Sequence, residues 1–329
     1  PYQESVEGTS DKPIYNYFMD ETYKVSERAE LITPARFLFN AGKTPKDWNR
    51  KMLDDPHLKV INYQQKSDAV FPNTDIKGGV AVTYWESSKD FGAIGVFSAF
   101  PELRSLQKKI NPYLMQGCLT DVIYLQNRFN LQSLYSDYPE IHGQISSDGR
   151  ERRIVTSSFN KLPVFTECQE NTNSIRILGL AGTNQRTYKW IRTAYVEDNG
   201  NLGTYKVILP KANGSGAIGE VLSTPLIGEP LIGYTQSFLG IGAFETKAEA
   251  QNCMKYIKSK FARVLLGILK ITQDNPPEKW VYVPLQDFTP NSDIDWSQSV
   301  ADIDRQLYAK YGLDDNEIAF IESHVKEMD

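Results

Sequence analysis

The first hundred residues alternate between helical and strand-like patterns of apolar positions. Apolar residues recur at helical spacing between positions 12 and 28, which predicts a helix. The short, mostly apolar run at 29–33 ends at Pro34 and predicts a buried parallel strand. The remaining predicted elements are a helix within 42–53 and strands within 58–63, 79–85 and 91–97. This alternation indicates part of an α/β sheet over residues 1–99.

The pattern changes after residue 100 and predicts a second, mixed α+β domain over residues 100–290. Helical periodicity comes first, and short β-rich runs separated by Asn, Gly and Asp turns follow. The predicted helices are 101–119, 121–134 and 246–270, and the predicted strands are 174–180, 188–196, 204–209 and 280–284. Residues 291–329 form an acidic tail of two short helices, at 297–310 and 314–326, joined at Gly312.

Charge is distributed unevenly in a chain whose formal net charge is −5. Acidic residues concentrate in the tail, whereas residues 150–192 are basic and carry Tyr188 and Trp190 between the cations. Clustered cations beside aromatic rings are typical of a surface that contacts nucleic-acid phosphates. The alternative is a solvated face of an ordinary domain. The candidate DNA-binding residues are Arg150, Arg152, Arg153, Arg186, Lys189, Arg192, Lys206 and Lys211.

The chain is poor in residues that bind metals or act as nucleophiles. Its three cysteines, Cys118, Cys168 and Cys253, are far apart in sequence, and no Cys-x-x-Cys pair occurs. Three histidines also stand in no recognisable ligand spacing, so no metal site is predicted. The sequence contains neither a secretory signal pattern nor a run of apolar residues long enough to span a membrane, so a cytoplasmic location is expected.

The order of segments resembles a family of DNA-modifying enzymes. The run "PYQ…KPIYNYFMDETYK…AELITPARFLF", followed by "AVFPNTDIKGGVAVTYWESS", is similar to the second half of the catalytic domain of TaqI-like adenine-specific DNA methyltransferases. The later "GTYKVILPKANGSG…GYTQSFLGIGAFETKAEAQNCMKYIKSKFARVLLGILK" resembles the DNA-recognition domain of the same group, in its type II restriction-modification branch. The resemblance implies the C-terminal part of a Rossmann-like methyltransferase sheet, followed by a mixed α+β target-recognition domain.

The resemblance also implies roles for three residues near the N-terminus. Pro1 and Tyr2 correspond to the last two residues of the catalytic Asn/Asp-Pro-Pro-Tyr/Phe loop, so the chain is expected to be a piece cut inside that motif. In the family the aromatic residue of this loop stacks on the extruded adenine, which assigns that role to Tyr2. An aromatic residue of the later Val-Phe-Pro segment contacts the same base and corresponds to Phe71.

The cofactor implied by the resemblance is S-adenosylmethionine, with a site expected mainly upstream of residue 1. Its binding residues in this chain are therefore unknown, and the isolated chain is expected to be inactive. The implied reaction is methyl transfer to the exocyclic amine of a flipped adenine within a specific sequence of double-stranded DNA. Two alternatives stay open: part of a bifunctional restriction endonuclease-methyltransferase with a fused or upstream nuclease domain, and a DNA-specificity module without catalysis.

Overall fold

The computed structural model describes residues 3–4, 12–145, 151–182 and 185–328. Contacts between Cα atoms divide the chain into two compact units. Unit 1 comprises residues 1–104 and 215–217, and unit 2 comprises residues 105–214 and 218–329. Each unit has its own sheets and its own buried apolar side chains.

Unit 1 is built on a three-stranded sheet with strand order β3-β5-β4. Its strands are β1 (Gln3–Glu4), β2 (Lys12–Pro13), β3 (Arg28–Pro34), β4 (Leu58–Gln64) and β5 (Val80–Glu86), and its helices are α1 (Tyr15–Val25) and α2 (Lys46–Asp54). β5 runs antiparallel to both neighbours, so β3 and β4 point in the same direction. The segment that joins them carries α2, as a crossover between parallel strands requires.

Two sequence predictions for unit 1 need correction. The strand predicted at 29–33 forms, but its sheet neighbour in the structure, β5, is antiparallel, and Ile32 remains 42% exposed. The strand predicted at 91–97 does not form. Gly92 and Gly95 there have φ angles of +79° and +61°, which an extended strand does not accommodate.

The apolar side of unit 1 is an aromatic cluster on one face of its two helices. The rings belong to Tyr15 of α1, to Phe37 of the 3-10 helix Ala35–Phe39, and to Trp48 of α2. Their centroids lie 5.4 to 6.3 Å apart, and all three side chains are buried. Edge-to-face contacts of this kind add to the stabilisation from buried area. The cluster therefore fixes the helices that precede and follow β3.

A tight turn aligns β5 with β4. Gly79 precedes β5 and has a φ angle of +74°, and its carbonyl oxygen accepts a hydrogen bond from the Ala35 backbone N–H at 3.0 Å. A Cβ atom on Gly79 would lie 2.2 Å from the backbone oxygen of Gln64. This position therefore requires glycine both for backbone conformation and for space.

Unit 2 contains most of the remaining elements. Its strands are β6 (Ile123–Tyr124), β7 (Arg128–Phe129), β8 (Ser174–Leu180), β9 (Arg186–Arg192), β10 (Val196–Glu197), β11 (Tyr205–Pro210), β12 (Leu226–Gly228), β13 (Ile232–Tyr234) and β14 (Phe238–Phe244). Its helices are α3 (Pro101–Leu114), which begins in unit 1, α4 (Leu131–Asp137), α5 (Ser158–Lys161), α6 (Lys247–Lys258), α7 (Lys260–Leu266), α8 (Val300–Lys310) and α9 (Asp315–His324).

The strands of unit 2 form three sheets. The largest has strand order β12-β11-β14-β6 and is antiparallel throughout. A second sheet has order β13-β8-β9, with β13 parallel to β8 and β9 antiparallel to it. The third is the short antiparallel pair β10-β7. Unit 2 is therefore a mixed α/β structure with several small sheets.

The helix predicted at 246–270 is two helices, because the chain turns at Ser259. Ser259 has extended backbone angles, φ −57° and ψ 148°, and its hydroxyl accepts a hydrogen bond from the Ala262 backbone N–H. The residue therefore ends α6 and caps α7 at once. The predicted helix at 121–134 is also wrong, since 119–122 is a 3-10 helix, 123–124 and 128–129 are strands, and the α-helix spans only 131–137.

The C-terminal region confirms two predicted helices and corrects one strand. α8 and α9 lie within the predicted ranges, and Gly312 between them has a φ angle of +60°. The strand predicted at 280–284 is instead a turn, with Pro284 bridged to Cys118. The Val283 backbone N–H donates to the Trp280 carbonyl oxygen at 3.0 Å, a turn hydrogen bond within the segment.

Candidate nucleic-acid interface

The basic region predicted from the sequence surrounds one apolar core in unit 2. Ile175 and Ile177 of β8 and Ile191 of β9 point into this core, where they join Phe129 and Phe165. Alternate residues of a strand face opposite sides of the sheet. The even-numbered residues of the two strands therefore share the other face.

That other face carries a group of aromatic and cationic side chains. Arg176 lies directly opposite Trp190 in the β8–β9 pairing, and Leu178 lies opposite Tyr188. The Arg176 guanidinium carbon is 5.4 Å from the centre of the Tyr188 ring and 5.7 Å from that of the Trp190 ring. Both distances are within the range of a cation–π interaction. Tyr188 is 36% exposed, so this part of the face is open to solvent.

A second group of cations lies around β7. Arg152 and Arg153 are exposed, and Arg153 forms a backbone bridge with Arg128, which is also exposed. Arg128 in turn lies opposite Glu197 in the β7–β10 pair. Arg152 lies 3.8 Å from Glu197, a loose ion pair. Among the described residues the group therefore presents three arginines to solvent.

Arg128 was missed by the sequence analysis. It lies outside the basic segment 150–192 and has no cationic neighbour in the sequence. Strand pairing with residue 153 brings it beside the predicted arginines. Only a contact between residues distant in sequence could have revealed it.

Three of the predicted cations are held by protein groups. Lys189 pairs with Glu167, and Arg192 pairs with Asp137 at 2.9 Å. Arg186 donates to the carbonyl oxygen of Thr224 at 2.6 Å, and burial lowers the pKa of its guanidinium. A phosphate would have to compete with these partners, so a smaller contribution to binding is expected from them than from Arg153.

Lys206 is placed differently from the predicted surface cation. It is fully buried, and its ammonium group donates to three backbone carbonyl oxygens, those of Asn201 at 2.8 Å, Leu202 at 3.2 Å and Glu229 at 3.3 Å. Burial lowers its pKa to about 8. Lys206 therefore holds the turn before β11 from the interior, not from the surface where it was expected, and its assignment to DNA stays a prediction.

A polar network continues from Lys206 through the same turn. The Tyr234 hydroxyl accepts from the Asn199 side-chain amide at 2.9 Å and donates to the Asn201 side-chain oxygen at 3.2 Å. The Asn127 side-chain oxygen accepts from the Tyr234 backbone N–H at 3.0 Å. Buried polar groups that are satisfied in this way specify one arrangement of the backbone.

The remaining two predicted cations are Lys211, which is half-buried, and Arg150, which lies outside the described residues.

The predicted catalytic residues belong to unit 1. Pro1 and Tyr2 lie outside the described residues, and Phe71 lies in a turn that follows a short 3-10 helix, Ser67–Ala69. The Phe71 backbone N–H donates to the Ser67 carbonyl oxygen at 2.8 Å, and the Thr74 hydroxyl donates to the Phe71 carbonyl oxygen at 2.7 Å. These bonds fix the backbone of a half-buried aromatic residue.

No group of three or more His, Cys, Asp or Glu side chains in the described part of the chain could hold a metal ion. No described helix combines the length and apolar character needed to cross a membrane.

The N-terminal part of the chain matches a known protein family. Residues 1–71 match the model of the family described as Eco57I restriction-modification methylase. The matched segment contains α1, β3, α2 and β4 and ends at Phe71. No curated protein matches the chain. The match supports a restriction-modification methylase family for these N-terminal 71 residues.

Proposed function

We propose that the chain is the C-terminal part of an adenine-specific DNA methyltransferase from a restriction-modification system. The observation that carries the proposal is the match of residues 1–71 to restriction-modification methylases. The match includes Tyr2 and Phe71, the two aromatic residues assigned to the extruded base. Residues 1–104 would contribute to the catalytic domain, and unit 2 would recognise DNA.

The sheet of unit 1 supports this proposal. β3 and β4 run in the same direction with the antiparallel β5 between them. Sheets of α/β enzymes that are otherwise parallel commonly include an antiparallel strand. The arrangement is therefore compatible with the terminal part of a Rossmann-like sheet, to which strands of the parent enzyme would add.

The chemistry of adenine methylation explains the residue types. The exocyclic amine of adenine is buried in a base pair, so the base must leave the helix and be held flat against aromatic rings. Tyr2 and Phe71 would supply these rings. S-adenosylmethionine would supply the methyl group when bound. The described residues of unit 1 contain no glycine-rich strand-to-helix turn, so they do not fit this cofactor by themselves.

An enzyme that contains this chain together with a complete cofactor site is expected to transfer labelled methyl groups from S-adenosylmethionine to adenine in duplex DNA. The measurement is nucleoside analysis of mixed-sequence DNA after incubation. Tyr2→Ala is expected to lower activity by about 10- to 100-fold, because stacking on a base is worth on the order of 1–3 kcal/mol. Tyr2→Phe keeps the ring and is the matched control, with activity close to that of the wild type.

Two results would contradict the proposal in different ways. If the folded parent binds its cofactor and DNA without labelling adenine, the chain is a specificity module or acts on another base. If Tyr2→Phe is as damaging as Tyr2→Ala, methylation stands and the hydroxyl, rather than the ring, is the working group.

The 329-residue chain is expected to bind duplex DNA with an affinity that falls steeply as salt rises, because phosphate contacts release counterions. Arg152→Ala/Arg153→Ala is expected to weaken binding and to lower the slope of log affinity against log salt by up to roughly one unit per lost contact. The matched control is Arg305→Ala/Lys326→Ala, which removes the same charge from exposed positions in the acidic tail.

Titration of both double variants at several salt concentrations separates a local contact from a general charge effect. An equal loss in the two variants would mean that only net charge matters. The exposed arginines around β7 would then be an ordinary solvated face.

A further inference from the structure

We infer that Arg176 is a specificity-determining residue, which reads the edge of a guanine in the DNA major groove. The inference rests on the proposed function and deepens it. Sequence analysis assigned DNA contacts to several neighbouring cations and not to Arg176. Its position on β8, between the rings of Tyr188 and Trp190, sets it apart from them.

Arg176 is available to a ligand. Its hairpin neighbours Arg186 and Arg192 are bound to a backbone carbonyl and to a carboxylate, respectively. Arg176 has no hydrogen bond or ion pair from its side chain to any other residue in the described ranges. Three carboxylates on and beside this hairpin, Glu167, Asp137 and Glu229, are paired with other cations. A half-buried guanidinium with its donors unused is consistent with a partner that the free chain lacks.

The two rings also prepare the guanidinium for a planar partner. Stacking against aromatic faces restricts the rotation of the side chain and leaves the N–H donors at the edge of the plane unblocked. A guanine presents two acceptors, O6 and N7, at the spacing that this fork of donors matches. The loss of side-chain entropy on binding is therefore smaller than for a free surface arginine.

The surroundings favour a base edge over a phosphate. A phosphate is strongly hydrated and gains nothing from the flat apolar flanks that Tyr188 and Trp190 provide. Exposed arginines better suited to phosphates, Arg152 and Arg153, stand in a different group around β7. The odd-numbered face of the same hairpin is packed into one apolar core, and Leu178 and Leu180 of the even-numbered face pack into a second. The part of the hairpin that can meet DNA is therefore the end of the even-numbered face around Arg176, where Tyr188 is exposed.

The test selects preferred sequences from a randomised duplex pool with the wild-type chain, with Arg176→Met and with Arg153→Met. The two variants remove the same charge and keep an unbranched side chain. Wild type is expected to prefer a G·C pair at one position by about 10- to 100-fold. Arg176→Met should lose that preference alone, whereas Arg153→Met should keep it and bind every sequence more weakly. Circular dichroism and thermal melting check that both variants are folded.

The outcomes separate the inference from the proposed function. A chain that binds no DNA overturns both. Selection of the same sequence by wild type and Arg176→Met overturns the inference alone, since a residue that reads a base cannot be removed without loss of preference. A uniform loss of affinity in Arg176→Met, equal to that in Arg153→Met, also overturns it and identifies a phosphate contact instead.

Discussion

Gly79→Ala is expected to destabilise unit 1 by about 3 kcal/mol or more, a large effect for a single added methyl group. An L-residue at a φ angle of +74° costs about 1–2 kcal/mol. The new Cβ would also lie 2.2 Å from the Gln64 oxygen and 2.8 Å from the Gln65 Cα, both backbone atoms. The turn would have to move, which disturbs the pairing of β5 with β4.

The matched control for this substitution is Gly92→Ala. Gly92 has nearly the same φ angle, +79°, but an added Cβ would meet no atom within 4 Å. Only the backbone cost of about 1–2 kcal/mol is expected there. The rate of amide hydrogen exchange in peptides from β3 and β4 measures the local stability of unit 1 in both variants. Similar exchange in the two variants would show that the close approach to Gln64 is relieved without cost.

Lys206→Met is expected to destabilise unit 2 by about 3 kcal/mol, although it replaces a charge with an apolar side chain of similar length. Three carbonyl oxygens, two of them buried, would lose their shared donor, and an unsatisfied buried polar group costs about 1–3 kcal/mol. The gain from removing a buried charge offsets part of this loss. Urea unfolding of the chain measures the change in the free energy of unfolding of unit 2.

Lys211→Met is the control for the same chemical change on a half-buried lysine of the adjoining segment. A change within about 0.5 kcal/mol is expected, as for most surface substitutions. If Lys206→Met were equally mild, the ammonium would contribute little to the turn, and the three carbonyl oxygens would be satisfied by water instead.

Local elements were predicted well because their signals are local. The helical period at 12–28 and the strand runs at 58–63 and 79–85 correspond to α1, β4 and β5. Strand direction was not predictable in the same way. β3 pairs with a strand about fifty residues later, and only the fold decides which neighbour it meets. The break at Ser259 was hidden because the apolar period continues through it.

The surroundings of the basic residues were also not predictable from the sequence, because they depend on contacts between distant segments. The sequence does not distinguish a surface lysine from a buried one. No neighbouring residue indicates that three carbonyl oxygens accept hydrogen bonds from the Lys206 ammonium group. Arg128 joins Arg153 only through strand pairing. Arg176 was visible as one cation among many, whereas its two aromatic flanks depend on the register of β8 with β9.

The helix α3 limits where genetic exchange can divide this chain. Leu103 lies in the part of the helix assigned to unit 1, Leu106 and Ile110 lie in the part assigned to unit 2, and all three are buried. A recombination joint inside Pro101–Leu114 would join two half-helices from different proteins. The apolar face of each half would have evolved to pack within its own parent protein. A joint before Pro101 would transmit the helix whole, so inherited exchange of unit 2 between related proteins should leave its crossover points upstream of that proline.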